Sequence, residues 1–382
     1  MSPFFWLPPY YYAEVFNYSI VILMVFLAFH LSRLSNDRLI RGNAGSPMPT
    51  TVLAILLILF FGFRPLHFMF GDMMNYWRDF SKRAHESALF EGVFSGRDAG
   101  WIILGDLCRL LFAKASLKAQ FGAVTFITAL IQVGFTAWGC IRLDRKHAYI
   151  LFLFALSSMS YYAYAVNGMR TGLGCGILFL AFSYINTDKK GRIKAVLLCL
   201  LAYSMHGSML LPAVALFLSY YFIKSPKWCI FFWLMSIPIS LVAGNEISSI
   251  FSSMGFDSRL SSYLQGYGAI EDIQSIASTL KSGFRWDFLL FSAVPVFLGW
   301  YIVMKRKIID RWYIVLFNTY VISNAFWIMV IRAAFSNRFA QLSWFMYGLI
   351  IAYPLVNMRV FHSQGAKLGL IGILMALFNV FV

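Results

Sequence analysis

Apolar segments long enough, or nearly long enough, to cross a bilayer recur through the whole chain. They lie at about 15–34, 50–63, 121–141, 148–166, 171–187, 193–205, 207–223, 228–243, 286–304, 312–331, 338–357 and 367–382. A helix needs about 20 apolar residues to cross about 30 Å of hydrocarbon, and lipid offers nothing to pair a free backbone group, so these segments must be helical. Only 13% of the residues are charged, against about 25% in a soluble domain. That is too little polar surface to cover one soluble core, and a soluble enzyme is excluded. An outer-membrane barrel is excluded too, because its strands alternate apolar and polar residues. The expected fold is an all-α polytopic integral membrane protein with about 11–12 transmembrane helices. Residues 1–382 are read as a single transmembrane domain.

Charge sets the orientation. Six basic clusters punctuate the apolar segments: Arg33/Arg38/Arg41, Arg142/Arg145/Lys146, Lys189/Lys190/Arg192/Lys194, Lys224/Lys227, Lys305/Arg306/Lys307/Arg311 and Arg359/Lys367. Placed on one side, they hold 18 of the 32 basic residues, with only Asp37, Asp144, Asp188 and Asp310 among them, for a net charge of +14. The rest of the chain carries +2. Such asymmetry marks the cytoplasmic side, with both termini outward. The overall +16, which in a soluble protein would suggest nucleic acid, therefore serves orientation, and no nucleic-acid partner is expected. The five cysteines lie in or beside apolar segments and read as small buried hydrophobes. The first segment, without a basic leader or cleavage site, reads as a retained span.

Two stretches depart from simple crossing. Counting residues 99–113 as a span would put Lys189–Lys194 outside, so they read as a short amphipathic or re-entrant piece on the outer face, with Asp106 and Arg109 near the headgroups. Residues 195–223 must go out and return within 29 residues, which predicts a hairpin of short helices turning at His206-Gly207. The outer regions are then 64–120, which includes the amphipathic piece, and a loop at 244–285. Tyrosines at 161–164 read as an interfacial belt. No internal repeat of the transporter kind is visible.

Ionisable residues at span mouths are costly and usually functional. On the outer side these are Arg64, Arg170, Arg285, Arg332 and Arg338, with Asp72, Asp79, Asp287 and His206 at similar depth. Arginine stays charged and offers a planar fork to phosphate oxygens, so several around one recess suit a lipid pyrophosphate. Against this, any one arginine can snorkel to headgroups, Asp287 can be merely the ion-pair partner of Arg285, and His206 can simply satisfy backbone carbonyls. No metal-ligand cluster or nucleotide-sugar motif is present, so no metal or cofactor is expected.

The polar residues fall into five ordered motifs: Gly62-Phe63-Arg64 with Gly71-Asp72, Tyr76 and Phe80; NGMRTGLGCGILFLAF at 167–182; SMHGS at 204–208; GFRWDFLLFS at 283–292; and SNRFAQLSWF at 336–345. Their order and placement resemble the EpsG/Wzy family of bacterial polysaccharide polymerases, from about residue 50 to 357. Thr171 stands where that family often has Gln. The resemblance implies an inner-membrane enzyme, compatible with a GT-C-like membrane glycosyltransferase architecture, whose active site faces the periplasm. Its donor and acceptor would be undecaprenyl-pyrophosphate-linked oligosaccharides, its setting the lipid bilayer, and its partner a chain-length-regulating co-polymerase. Arg170, Arg285 and Arg338 would clamp pyrophosphate, supported by Arg64 and Arg332. His206 or Asp72 would be the base, and Asp287 would orient an arginine. An O-antigen ligase, a lipid-linked oligosaccharide flippase or transporter, and a membrane O-acyltransferase are the rival readings.

Overall fold

The computed structural model describes residues 7–42, 46–93, 98–253, 284–332 and 337–381. Among the described residues there is no strand. In chain order the helices are α1 (Tyr12–Ser32), α2 (Asn36–Arg41), α3 (Met48–Gly62), α4 (Met73–Glu86), α5 (Ala99–Leu111), α6 (Leu117–Leu143), α7 (Ala148–Leu156), α8 (Ser160–Val166) and α9 (Met169–Ile185). There follow α10 (Lys189–Met205), α11 (Leu210–Phe217), α12 (Pro226–Ser253), α13 (Trp286–Trp300), α14 (Arg311–Met329), α15 (Asn337–Trp344), α16 (Tyr347–Asn357) and α17 (Gln364–Phe381). Seven helical segments of the described residues are long and apolar enough to cross a membrane, the bent pair α7–α8 makes an eighth, and Met48–Gly62, Met169–Ile185 and Gly207–Phe222 are shorter apolar helices. This is the all-α polytopic membrane architecture expected. Most of the expected 244–285 loop, residues 254–283, lies outside the described residues.

Two compact units divide the chain: Met1–Met209 with Ala352–Val382, and Leu210–Ile351. Lipid tails are as apolar as leucine, so helices in the membrane associate through close packing of small residues. In the first unit α9 does this against α6: a Cβ at Gly176 would lie 2.6 Å from the Gln132 Cα, and one at Gly139 2.9 Å from the Phe179 ring. The α6 residues Thr125, Thr128, Gln132 and Thr136 are buried, Gln132 against Gly172 and Gly176 of α9. The threonine hydroxyls are satisfied locally, as where Thr128 and Thr136 each donate to the carbonyl four residues back at 2.7 Å. The first and last helices pack the same way, with Gly365 against the Leu31 carbonyl and Gly369 against the Ala28 backbone.

Residues 148–166 do not form one straight span. The helix breaks at Ser157–Met159 and bends by 75°. The Ser157 hydroxyl turns back to the Leu153 carbonyl at 2.9 Å, and the freed Ser157 carbonyl takes a hydrogen bond from the Asn379 amide of α17, also at 2.9 Å. A broken helix is tolerated at membrane depth when such partners exist. The bend also corrects the reading of the tyrosines as a belt. Tyr161 and Tyr164 are 8% and 3% exposed, turned into the protein, and Gly172 packs against the Tyr164 carbonyl, leaving no room for a Cβ.

The amphipathic piece is the helix α5, and Asp106 is enclosed by protein rather than exposed on its surface. It is 0% exposed. Arg83 of α4 donates to both its oxygens, at 3.3 and 2.8 Å; Arg109 donates at 2.9 Å and the Phe90 backbone N–H at 2.8 Å. A buried carboxylate survives only when paired and hydrogen-bonded, and four donors meet that condition. Burial alone would raise its pKa, but the bonds from Arg83, Phe90 and Arg109 outweigh this and hold it below the ordinary carboxylate value.

Within the first unit the basic clusters gather at one end. Lys146 donates to the Arg41 carbonyl at 3.0 Å, Arg359 meets Asp37 at 3.2 Å, and Arg142 and Lys194 both lie over the Tyr184 ring. In the second unit the contacts Gly299–Phe317 and Ser292–Tyr320 run α13 antiparallel to α14. A buried polar network ties its helices together: Trp233 Nε1 donates to Asn324 at 2.8 Å, Asn324 to Ser343 at 3.0 Å, and Trp344 Nε1 to Ser292 at 2.7 Å. At one end of this unit Arg311 lies over the Tyr220 ring.

Candidate active site

The other end of the first unit collects three of the sequence motifs. After α3 the chain turns at Gly71, whose φ of +61° suits glycine. A Cβ there would also lie 2.6 Å from the Asn167 side chain. The turn presents the Asp72 N–H to Asn167 Oδ1 at 2.7 Å, and Asp72 accepts from Asn75 at 3.1 Å. The first motif is thereby fastened to the second, three residues before Arg170.

Arg170, in the first turn of α9, donates through Nη1 to Asp98 Oδ2 at 2.7 Å. The other oxygen of Asp98 accepts the Gly207 N–H at 2.9 Å, so one carboxylate joins the Arg170 motif to the turn after α10. Arg170 also lies over the Tyr76 ring, 5.2 Å from its centroid, a cation–π arrangement. His206 Nδ1 accepts the Ser208 backbone N–H at 3.2 Å and faces the Ser208 hydroxyl at 2.7 Å. A backbone N–H can only donate, so the Nδ1 lone pair is engaged and a neutral ring carries its proton on Nε2. The chain turns at His206-Gly207 as expected, without a left-handed φ at Gly207, where a Cβ would meet nothing within 4 Å. Arg64 sits apart from the surface, 5% exposed, donating to the Phe61 carbonyl and the Met169 sulfur.

The remaining candidates belong to the second unit, at the end away from Arg311. Arg285 forks onto Asp287 through Nε and Nη2, at 2.9 and 2.6 Å, and lies 3.7 Å from the Phe288 ring centroid. Arg332, just past α14, donates to the Leu241 carbonyl at 3.0 Å. Arg338 opens α15, half-buried. Arg64, Arg170 and Arg332 share one property: each has a buried Nε with no hydrogen-bond partner. Leaving a buried donor unmet costs about 1–3 kcal/mol, and a guanidinium held with spare donors is suited to an anionic ligand. Among the described residues no three of His, Cys, Asp and Glu gather as metal ligands.

The model of the EpsG family matches residues 49–382. The chain belongs to the EpsG family. Membership supports a polysaccharide polymerase in the membrane, and the match takes in every motif described above, leaving α1 and α2 before it. Neither the curated proteins nor the solved structures yielded a match. Asp98 lies outside the motifs and went unread in the sequence, and the contacts of Asn167 with Asp72 and of Tyr76 with Arg170, though both residues stand in motifs, were not foreseen. Asn167 carried a usable signal, three residues before an outward arginine. Asp98 carried a misleading one, since an aspartate just before an apolar helix ordinarily reads as its N-cap, and here it makes no capping bond.

Proposed function

We propose that this EpsG-family protein is a glycosyltransferase that joins undecaprenyl-pyrophosphate-linked oligosaccharide repeat units at the outer face of the bacterial inner membrane. The observation that carries the reading is the buried Nε without a partner at each of Arg64, Arg170 and Arg332, residues singled out for pyrophosphate by their place at the outer mouths of spans. The growing chain leaves its lipid pyrophosphate and is added to the non-reducing end of a new lipid-linked unit. The bond from the anomeric carbon to the pyrophosphate oxygen breaks, with its electron pair going to pyrophosphate. The acceptor hydroxyl oxygen bonds to the anomeric carbon, and its proton passes to a base. Arg170, Arg285 and Arg338, supported by Arg64 and Arg332, stabilise the departing charge, and no metal is required. Asp287 orients Arg285 through the observed fork. Of the two base candidates, Asp72 is favoured, because the lone pair of His206 is engaged by Ser208. A co-polymerase would set chain length.

Deleting the protein tests the class of reaction. Loss of a polymerase leaves single repeat units on the cell-surface acceptor. A ligase or flippase would leave none, and an acyltransferase would leave chain length unchanged. At residue level, Asp72→Asn is expected to abolish polymer while His206→Ala retains it; the reverse pattern makes His206 the base.

A further inference from the structure

Asp98 does not cap the helix it precedes. Its backbone is left-handed, at φ 64° and ψ 38°, a region that few residues other than glycine adopt, aspartate among them when its side chain is engaged. What holds it is the pair of bonds from its carboxylate to Arg170 Nη1 and to the Gly207 N–H, residues 72 and 109 positions away in the chain. A guanidinium and a backbone N–H converging on one small anion form the kind of donor set that binds phosphate oxygens. Spare capacity remains at Arg170 Nε, and the space beside Gly207 is open. The ion pair is also reachable from outside, its side chains being 15% and 16% exposed.

We propose that the Asp98 carboxylate is a resident anion filling the phosphate seat formed by Arg170 and the Gly207 N–H, and that the pyrophosphate of the lipid-linked donor displaces it. This rests on the reading of Arg170 as a pyrophosphate residue. Without substrate, the carboxylate keeps a largely buried guanidinium paired, as a buried charge requires. A pyrophosphate brings more negative charge and more acceptor oxygens to the same donors, and it can use Nε as well. On displacement the backbone at Asp98 is free to leave the left-handed region. Its carbonyl accepts from the Trp101 and Ile102 N–H groups at 3.0 and 3.2 Å, so the first turn of α5 loosens with it. Donor binding is thus a competition, and the resident carboxylate weakens it.

The competition has a sign that a purely architectural aspartate lacks. The full-length protein in nanodiscs is titrated with farnesyl pyrophosphate, with farnesol as the uncharged control. Asp98→Asn and Asp98→Gly are each expected to bind farnesyl pyrophosphate about tenfold more tightly than the parent protein, the equivalent of about 1.4 kcal/mol, and Arg170→Ala to bind it more weakly. Glycine accepts the left-handed backbone, so the second variant removes the carboxylate without adding strain. Equal or weaker binding by both Asp98 variants overturns the proposal and makes Asp98 a scaffold for Arg170. Equal binding by the parent and Arg170→Ala instead removes Arg170 from the pyrophosphate site, and the functional reading of that residue falls first. Should both Asp98 variants misfold, amide exchange in residues 99–104 of the parent decides: faster exchange with saturating farnesyl pyrophosphate supports displacement, and unchanged or slower exchange refutes it.

Discussion

At the basic end of the first unit, Asp188 caps α10 through the Gly191 N–H at 2.9 Å, Asp37 meets Arg359, and Asp144 receives His147 at 2.6 Å. The lysines and arginines around them are exposed, except half-buried Arg192. At the opposite end Asp98 and Asp106 bind arginines that are themselves largely buried, with side-chain exposures between 13% and 23%. The same residue types serve different purposes at the two ends. Solvated cations at one end interact with the membrane field as a group and individually contribute little. Paired cations at the other end are fixed in position, and each has consequences of its own. Net charge locates the first kind and conceals the second.

The sharpest way to break that contrast is to remove one arginine from each end. Arg170→Ala is expected to lower polymer formation at least about 100-fold at normal protein level, while Arg145→Ala leaves it unchanged; gel profiles of the polymer read both. Next in size is the buried carboxylate. Asp106→Asn leaves Arg83 and Arg109 without their counter-charge and should destabilise the folded protein by about 3 kcal/mol at neutral pH, measured by thermal unfolding in detergent. Because the Asp106 pKa is depressed on folding, its contribution is complete above the ordinary carboxylate value and fades as pH falls through the folded value. The gap between parent and Asp106→Asn should therefore close below about pH 4. At the basic end Asp144→Asn should cost only about 1 kcal/mol, since His147 keeps its second contact, to the Leu39 carbonyl at 2.7 Å. Smallest of all, Lys189→Gln with Lys190→Gln should change stability by no more than about 0.5 kcal/mol.

These differences also explain what the sequence made readable. Twelve apolar segments and the basic clusters announced the helices and the basic end of the first unit, because hydrophobic length and charge are local properties that a window can sum. Arg64, Arg170, Arg285, Arg332 and Arg338 were visible as exceptions to that background. The fork of Arg285 on Asp287 was legible too, being two residues apart. The partner of Arg170 was not, because a contact across 72 residues leaves no trace in local pattern. The burial of Asp106 went unseen for the same reason: the Arg109 spacing was visible, but Arg83 and the Phe90 N–H, which make burial tolerable, arrive from another helix and a loop. The break at Ser157 depends on Asn379, 222 residues away, and no reading of residues 148–166 alone contains it.

The glycine seam between α1 and α17 has a consequence for the order in which the protein is made. α1 emerges from the ribosome well before its partner, because the surface it packs against is made of residues 365–372, which follow every other helix described above. Asn17 likewise donates to the Asn379 carbonyl at 2.9 Å. Until α17 is inserted, the first helix waits in the bilayer without its main partner, and the bend at Ser157 waits for its cap. The unit that carries Arg170 is therefore completed only after the whole second unit has been made.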